Sequence, residues 1–248
     1  MYVLITGASS GIGKELAYLY AADGNDLILV SRSEKVLNEI AKDIQNQYKI
    51  NVVVKPSDLS VKENCYNLFE SVRSYDIDKF INNAGYGNLG EFQKTSLDLE
   101  LNMLDLNIVS VQILTKLFIQ NFNKGTVVNV SSMAAFLPTP TLATYAASKS
   151  YVYQFSRAID YELQRRHTDL RVLSVNPGPV KTNFNERANA TISNGMEVKK
   201  CARLIYKGIQ KKKALIIPGA LMKIAYFFTK VTPIKLLLKV SYRIQNNK

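Results

Sequence analysis

The stretch YVLITGASSGIG, residues 2–13, decides the fold. Strand-forming residues from Tyr2 to Thr6 run into a turn that carries Gly7, Gly11 and Gly13, and a helical period follows over residues 11–23. Glycine at such a junction permits a tight turn and lets a ligand approach the backbone closely. The helix beyond it offers free N–H groups and the positive end of its dipole, which suits a pyrophosphate. The spacing is G-x-x-x-G-x-G rather than the commoner G-x-G-x-x-G. Ordinary turns also want glycine, so the rest of the chain has to decide what this one is for.

The rest of the chain alternates. Further β-rich runs lie at 26–31, 50–55, 79–83, 125–131, 170–176 and 214–218, with helical patterns near 34–48, 61–74, 98–122, 144–167 and 197–212. Alternation at this length implies parallel strands joined by right-handed crossovers. Strands that are apolar nearly throughout imply helices on both faces. The expected fold is α/β: a single Rossmann-type, doubly wound parallel sheet of about seven strands over residues 1–218. Residues 219–248 are expected as a basic, amphipathic, helical C-terminal extension of the same domain.

In such a sheet, ligands bind beyond the carboxyl ends of the strands. The polar motifs stand there: TGASSGIG (6–13), SRS (31–33), SDLS (57–60), NNAGYG (82–87), SSMAA (131–135) and NPGPVKT (176–182) each follow a strand. At the second, a chain that prefers NAD carries Asp or Glu for the ribose 2′-hydroxyl, whereas this one has Ser31 and Arg32. A guanidinium binds a 2′-phosphate bidentately, so NADPH is expected over NADH. The plainer alternative is that Arg32 is an exposed charge at a helix entry. Lys14 adds to the same field or is simply solvated.

Composition narrows the function classes. Apolar residues make up 47% and charged residues 21%, as in a globular protein. No run of 18 apolar residues occurs, so no membrane-spanning helix is expected. The N-terminus has no basic region or cleavage site of a secretory signal, so a cytoplasmic location is expected. Cys65 and Cys201 are isolated in sequence and have no metal-ligand spacing, which suggests a reducing compartment and no disulfide framework. The lone histidine, His167, follows Arg165 and Arg166 where a helix should end, and reads as a surface or capping residue. A histidine-based triad or metal site is thereby excluded, and no metal is expected.

One more stretch, TYAASKSYVYQF (144–155), places Tyr145 and Lys149 four residues apart, on one helix face. Taken alone, that pair reads as a packed tyrosine and a solvated lysine. Taken with the strand-end motifs, the chain resembles a short-chain dehydrogenase/reductase of the carbonyl- or ketoacyl-reductase kind. The resemblance rests on the glycine motif, NNAG (82–85), the asparagine of LDLNIVS, the serine of NVSSMAA, YAASK (145–149) and NPGPVKT, in order and at the family's spacing. It implies Asn107, Ser132, Tyr145 and Lys149 as the catalytic set. Ser132 matches better than Ser131, which is left to satisfy local backbone. The same resemblance implies cofactor contacts from Ser9, Ser10 and Ile12 in the glycine turn, and from Asp58 and Leu59 beside the adenine. It adds Asn83, Ala84 and Gly85 after the fourth strand, and Pro177, Gly178, Val180 and Thr182 after the sixth. Asn82 corresponds to the residue that steadies the central sheet. SMAAFL (132–137) lacks a glycine that many members carry there.

The chemistry expected of the pair is proton transfer. A phenol with a pKa of about 10 is a reluctant acid near neutrality. A neighbouring ammonium should lower it, letting Tyr145 protonate a carbonyl oxygen or deprotonate an alcohol while Ser132 hydrogen-bonds the same oxygen. Lys149 is also expected to reach the nicotinamide ribose, and Asn107 to hold a water linking Lys149 to solvent. The rival class is a non-catalytic NADPH-binding sensor or scaffold, which has no need of Tyr145.

The substrate is read from apolar residues after the serine (Ala134, Ala135, Phe136, Leu137, Pro138) and around Val180 and Phe184, which suggest a lipophilic ketone, aldehyde or 3-oxoacyl group. Residues 183–196 have the polar composition of a mobile lid. Family members commonly form homodimers or homotetramers through the helices at 98–122 and 144–167. The net charge of +12 is confined to the C-terminal fifth, since Lys199 to Lys248 holds thirteen Lys and Arg and no Asp or Glu. Leu236, Leu237, Val240 and Ile244 share a helical face there, and Lys235, Lys239 and Arg243 form a stripe. The tail either packs beside the pocket or a partner subunit, or lies on an anionic membrane surface, making the protein peripheral. No nucleic-acid partner is expected, because no base-reading fold is present.

Overall fold

A computed structural model describes residues 1–182 and 195–246. In chain order the elements begin with β1 (Tyr2–Thr6), α1 (Gly11–Ala22), β2 (Asp26–Ser31), α2 (Glu34–Tyr48), β3 (Val52–Pro56), α3 (Lys62–Val72) and β4 (Ile77–Asn82). They continue with α4 (Leu97–Leu104), a π-helical turn (Asp105–Val109), α5 (Ser110–Asn121), β5 (Lys124–Val130) and α6 (Ala143–Arg165). Next come β6 (Asp169–Val175), β7 (Val180–Lys181), β8 (Met196–Glu197), α7 (Val198–Gln210), β9 (Leu215–Ile216), α8 (Ala220–Val231) and α9 (Ile234–Asn246).

The described residues form a seven-stranded sheet in the order β3-β2-β1-β4-β5-β6-β9, parallel throughout. This is the Rossmann arrangement, in which strand order reverses between β1 and β4 and opens a crevice at their carboxyl ends. Successive residues of a strand point to opposite faces. Val3 and Ile5 of β1 accordingly join the core under α1, α2 and α7, whereas Leu4 joins the core under α3, α5 and α6. Each such side chain, fully buried, contributes about 1.5–3 kcal/mol. The exception to the apolar pattern is β3, whose residues are half-buried or exposed because it is a sheet edge.

Two local features differ from the sequence expectation. The helix expected over 98–122 is broken by the π-turn at its centre. It is the one described helical run, Leu97–Asn121, long and apolar enough to cross a membrane by length and composition. Its buried face, with Asn107, Ser110, Val111, Leu114 and Phe118, packs as a core helix. Val180 and Lys181 pair in parallel with Met196 and Glu197, so the end of the expected lid is held as a strand. The remainder of that segment, 183–194 with Phe184, lies outside the described residues, as does the side chain of Ile244.

His167 caps the end of α6 with a left-handed φ of 53° and is exposed. Cys65 and Cys201 are buried free thiols. Asn82 steadies the sheet centre by donating from Nδ2 to Asn129 Oδ1 at 2.9 Å, and Asn129 donates on to Ser156 of α6 at 2.9 Å.

Candidate active site

The four residues expected to act together meet at the carboxyl ends of β4 and β5. Asn107 sits in the π-turn, fully buried. Such turns shift the helix register by one residue and often mark functional positions. Its Nδ2 donates to the carbonyl of Tyr86 at 2.9 Å and to Ser148 Oγ at 3.1 Å, and its Oδ1 accepts the Tyr86 N–H at 3.2 Å. The bond to Ser148 ties the π-turn to α6, the helix that carries Tyr145 and Lys149.

Ser132 follows β5 in extended conformation. Its carbonyl accepts from Asn176 Nδ2 at 2.9 Å, and the N–H of Met133 reaches the Pro177 carbonyl at 2.9 Å, so the ends of β5 and β6 hold it from both sides. Ser131 has the structural part expected of it, donating to the Lys149 carbonyl at 2.7 Å. Ser132 acts on the Tyr145 phenol and draws its pKa down. Lys149 is buried, donates from Nζ to the Val130 carbonyl at 3.0 Å and lies 5.8 Å from the centre of the Tyr145 ring.

The electrostatics run opposite to the expectation for the phenol. Burial pushes Tyr145 up to about 12, and the influence of Ser132 only partly offsets this. Burial also lowers Lys149 to about 8. Desolvation disfavours each group's charged form, and at this position it outweighs the attraction between them. The site therefore presents a protonated phenol beside a lysine that titrates near neutrality.

The glycine turn packs against NNAG. Gly7 and Gly11 have φ of 65° and 57°, and a Cβ on Gly13 would fall 2.4 Å from the Gly7 carbonyl oxygen. Asn83 Nδ2 donates to the Thr6 and Gly7 carbonyls at 3.1 and 3.3 Å, and Thr6 Oγ1 accepts from the N–H groups of Asn83 and Ala84, both at 3.0 Å. Ser9 and Ser10 are half-buried in the turn. Among the described residues, no side chain caps α1 and no acidic residue stands in its first turn, which leaves its N-terminus suited to an anion. Thr182 reaches this turn from across the crevice, since a Cβ on Gly11 would meet its Cγ2 at 3.3 Å.

At the end of β2, Ser31 Oγ is buried without a hydrogen-bond partner. Arg32 is exposed, and a cavity of about 520 Å³ opens beside it, lined by Lys55, Ser57 and Asp58 among others. Asp58 Oδ1 accepts from the N–H and hydroxyl of Ser60, at 3.0 and 2.7 Å. An uncapped helix start, an orphaned hydroxyl and paired cations at successive strand ends fit a dinucleotide. Ile12 and Ala84 are partly buried against the core. The side chains of Leu59 and Val180 lie in the core, so a contact from either to a ligand is made by its backbone. Pro177 is buried, and Gly178 is covered by Met222 of α8.

The apolar residues after the serine form a groove of their own. Ala134 to Pro138 line a groove of about 570 Å³ whose α6 wall is Ala143, Ala146, Ala147 and Ser150. At 100° per residue these positions turn away from Tyr145 and Lys149. Leu238 of α9 closes the groove. The residue that does reach toward α8 is Phe136, whose ring lies 4.8 Å from Tyr153 and 4.4 Å from Tyr226, between centroids.

Tyr86, Ser148, Val130 and Asn176 were not singled out from sequence, although they hold Asn107, Lys149 and Ser132 in place. All four stand inside the motifs NNAGYG, NVSSMAA, YAASK and NPGPVKT, but their partners are distant in the chain. Among the described residues, no group of three or more His, Cys, Asp or Glu side chains could hold a metal ion.

Comparison with known proteins agrees with this geometry. The family described as short chain dehydrogenase matches residues 1–193. The Arabidopsis thaliana protein named 11-beta-hydroxysteroid dehydrogenase-like 3 is 32% identical over 241 residues, covering 93% of this chain and 77% of its own. The human protein named inactive hydroxysteroid dehydrogenase-like protein 1 is 31% identical over 194 residues, 76% of this chain and 58% of its own. A short-chain dehydrogenase from Sphingobium yanoikuyae, solved in complex with NADPH, superposes with a TM-score of 0.83 at 28% identity over 88% of both chains. The chain belongs to the short-chain dehydrogenase/reductase family, as an oxidoreductase that works with a nicotinamide dinucleotide.

Proposed function

We propose that this protein is an NADPH-dependent carbonyl reductase in which Tyr145 is the proton donor and residues 1–218 form the catalytic unit. The observation that carries the reading is Tyr145, influenced by Ser132, beside a buried Lys149 whose ammonium lies 5.8 Å from the phenol ring centre. A carbonyl oxygen placed between the two hydroxyls meets two donors at once. NADPH supplies the hydride when bound. Ser132 steadies the charge that develops on the oxygen, and Tyr145 gives it a proton. A phenol held near pKa 12 is protonated at neutral pH and so ready to donate to a carbonyl oxygen.

Arg32 and Lys55 at the β2 and β3 ends support a 2′-phosphate. The Sphingobium yanoikuyae neighbour holds NADPH, which agrees. A lipophilic ketone, such as a steroid or 3-oxoacyl compound, suits the hydroxysteroid dehydrogenase names of the relatives. The second reading, a non-catalytic NADPH-binding protein, draws on the human relative whose name carries "inactive".

The test is NADPH consumption by the purified protein over lipophilic ketones, aldehydes and 3-oxoacyl thioesters, with NADH and Tyr145→Phe alongside. The reductase reading expects turnover that falls about 10²–10⁴-fold in Tyr145→Phe with nucleotide affinity kept. Tight NADPH binding with no turnover across the panel favours the second reading, and faster turnover with NADH overturns the assignment of Arg32.

A further inference from the structure

The C-terminal helices are built inside out. On α8, Met222, Ala225, Tyr226 and Thr229 face the protein, with Met222 against Gly178 and Tyr226 against Phe136. The opposite face would be polar on an ordinary surface helix. Here it carries Leu221, Ile224, Phe227, Phe228 and Val231, each 54–71% exposed. At 100° per residue the five fall within a sector of about 120°. Lys223 and Lys230 lie together along one edge of that sector, and both are exposed.

On α9, Leu237 is half-buried and Ser241 buried, so the helix is seated along that line. Its outermost ridge is Lys235, Lys239 and Arg243, with exposed Leu236 and Val240 beside it. Among the described residues, none of these five cations pairs with a carboxylate. The chain holds no Asp or Glu after Glu197.

We propose that the outer face of α8 and α9 docks on the surface of an anionic phospholipid bilayer, with Phe227 and Phe228 entering the acyl boundary and the Lys235–Lys239–Arg243 ridge meeting headgroup phosphates. Charge selects this occupant. Exposed apolar area of this kind needs a cover. A second copy of the chain would bring like charges together on a face that has no acidic partner to offer. A bilayer with negative headgroups supplies both the apolar phase and the counter-charge. The face is also the outer side of the helix that seats on Gly178 and Phe136, so the docked surface lies one helix away from the residues that follow Ser132 and β6.

The experiment is flotation of the full-length protein with phosphatidylcholine vesicles, with and without phosphatidylserine. Two paired variants accompany it: Phe227→Ser with Phe228→Ser, and Lys235→Glu with Lys239→Glu. All four positions are exposed, and NADPH binding reports that each variant is folded. The expected result is recovery only with the anionic vesicles, reduced by roughly tenfold or more in each pair. Equal recovery of wild type and variants, equal recovery on neutral vesicles, or none at all overturns the proposal. A dimer seen by sedimentation velocity that Phe227→Ser/Phe228→Ser dissolves, without vesicle recovery, gives the face to a second copy instead. The readout needs no turnover, so its failure leaves the reductase reading untouched.

Discussion

Lys149 spends its best hydrogen bond on the Val130 carbonyl, 3.0 Å away, and not on Tyr145, whose ring centre lies 5.8 Å from the same ammonium. The lysine therefore acts on the phenol as a nearby charge rather than as a hydrogen-bond donor. That charge is conditional, because burial has lowered Lys149 to about 8.

The pH profile of reduction should follow that titration. Below about pH 8 the ammonium is present and supports the phenolate left when Tyr145 gives up its proton. Above it the support disappears while the phenol is still protonated, since its own pKa is about 12. The kcat/KM for reduction should be level below pH 8 and decline above it, measured by steady-state kinetics from pH 6 to 10. A profile level through pH 10 would sink the assignment.

Burying the ammonium should also cost stability. Lys149 has a lower pKa folded (about 8) than its ordinary 10.5, so the folded state holds fewer protons between these values and gains stability as pH rises through them. Below pH 8 the whole cost is present, on the order of 3 kcal/mol. Lys149→Met removes it and forfeits about 1 kcal/mol of hydrogen bond to Val130. Thermal unfolding at pH 7 should show a Tm several degrees above wild type in a variant that no longer turns over. A lower Tm would mean that the lysine stabilises the fold.

Gly85 has room for nothing larger. A Cβ there would lie 2.7 Å from Asn107 Oδ1 and 3.3 Å from Lys149 Nζ. Gly85→Ala should displace both groups and lower kcat roughly 100-fold, because a shift of about 1 Å at a reacting group costs that much. Unchanged kcat, with the fold verified by circular dichroism, would show that the pair tolerates movement.

Arg32 is exposed and makes no ion pair among the described residues. A charge-assisted hydrogen bond to a 2′-phosphate is worth about 1.5–3 kcal/mol. Arg32→Ala should thus reduce the NADPH-to-NADH ratio of kcat/KM by roughly 10- to 100-fold, with NADH turnover little changed. An equal fall with both cofactors would assign Arg32 to packing at the entry of α2.

The parts of this protein that sequence alone determined are those set by local rules. Strand period, glycine at the first turn and polar residues after each strand gave the doubly wound sheet, because φ restrictions and face alternation act on neighbours in the chain. The same rules put Tyr145 and Lys149 on one face of α6. Tertiary structure decided what depends on burial and distant contacts. Only the folded chain shows that the π-turn centres on Asn107, held by Tyr86 and Ser148. It also sends Ala134–Pro138 to a groove under Leu238 and leaves the side chains of Leu59 and Val180 in the core. The sign of the Tyr145 shift belongs here too: desolvation is a property of everything packed around a group, whereas the i, i+4 spacing records only one neighbour.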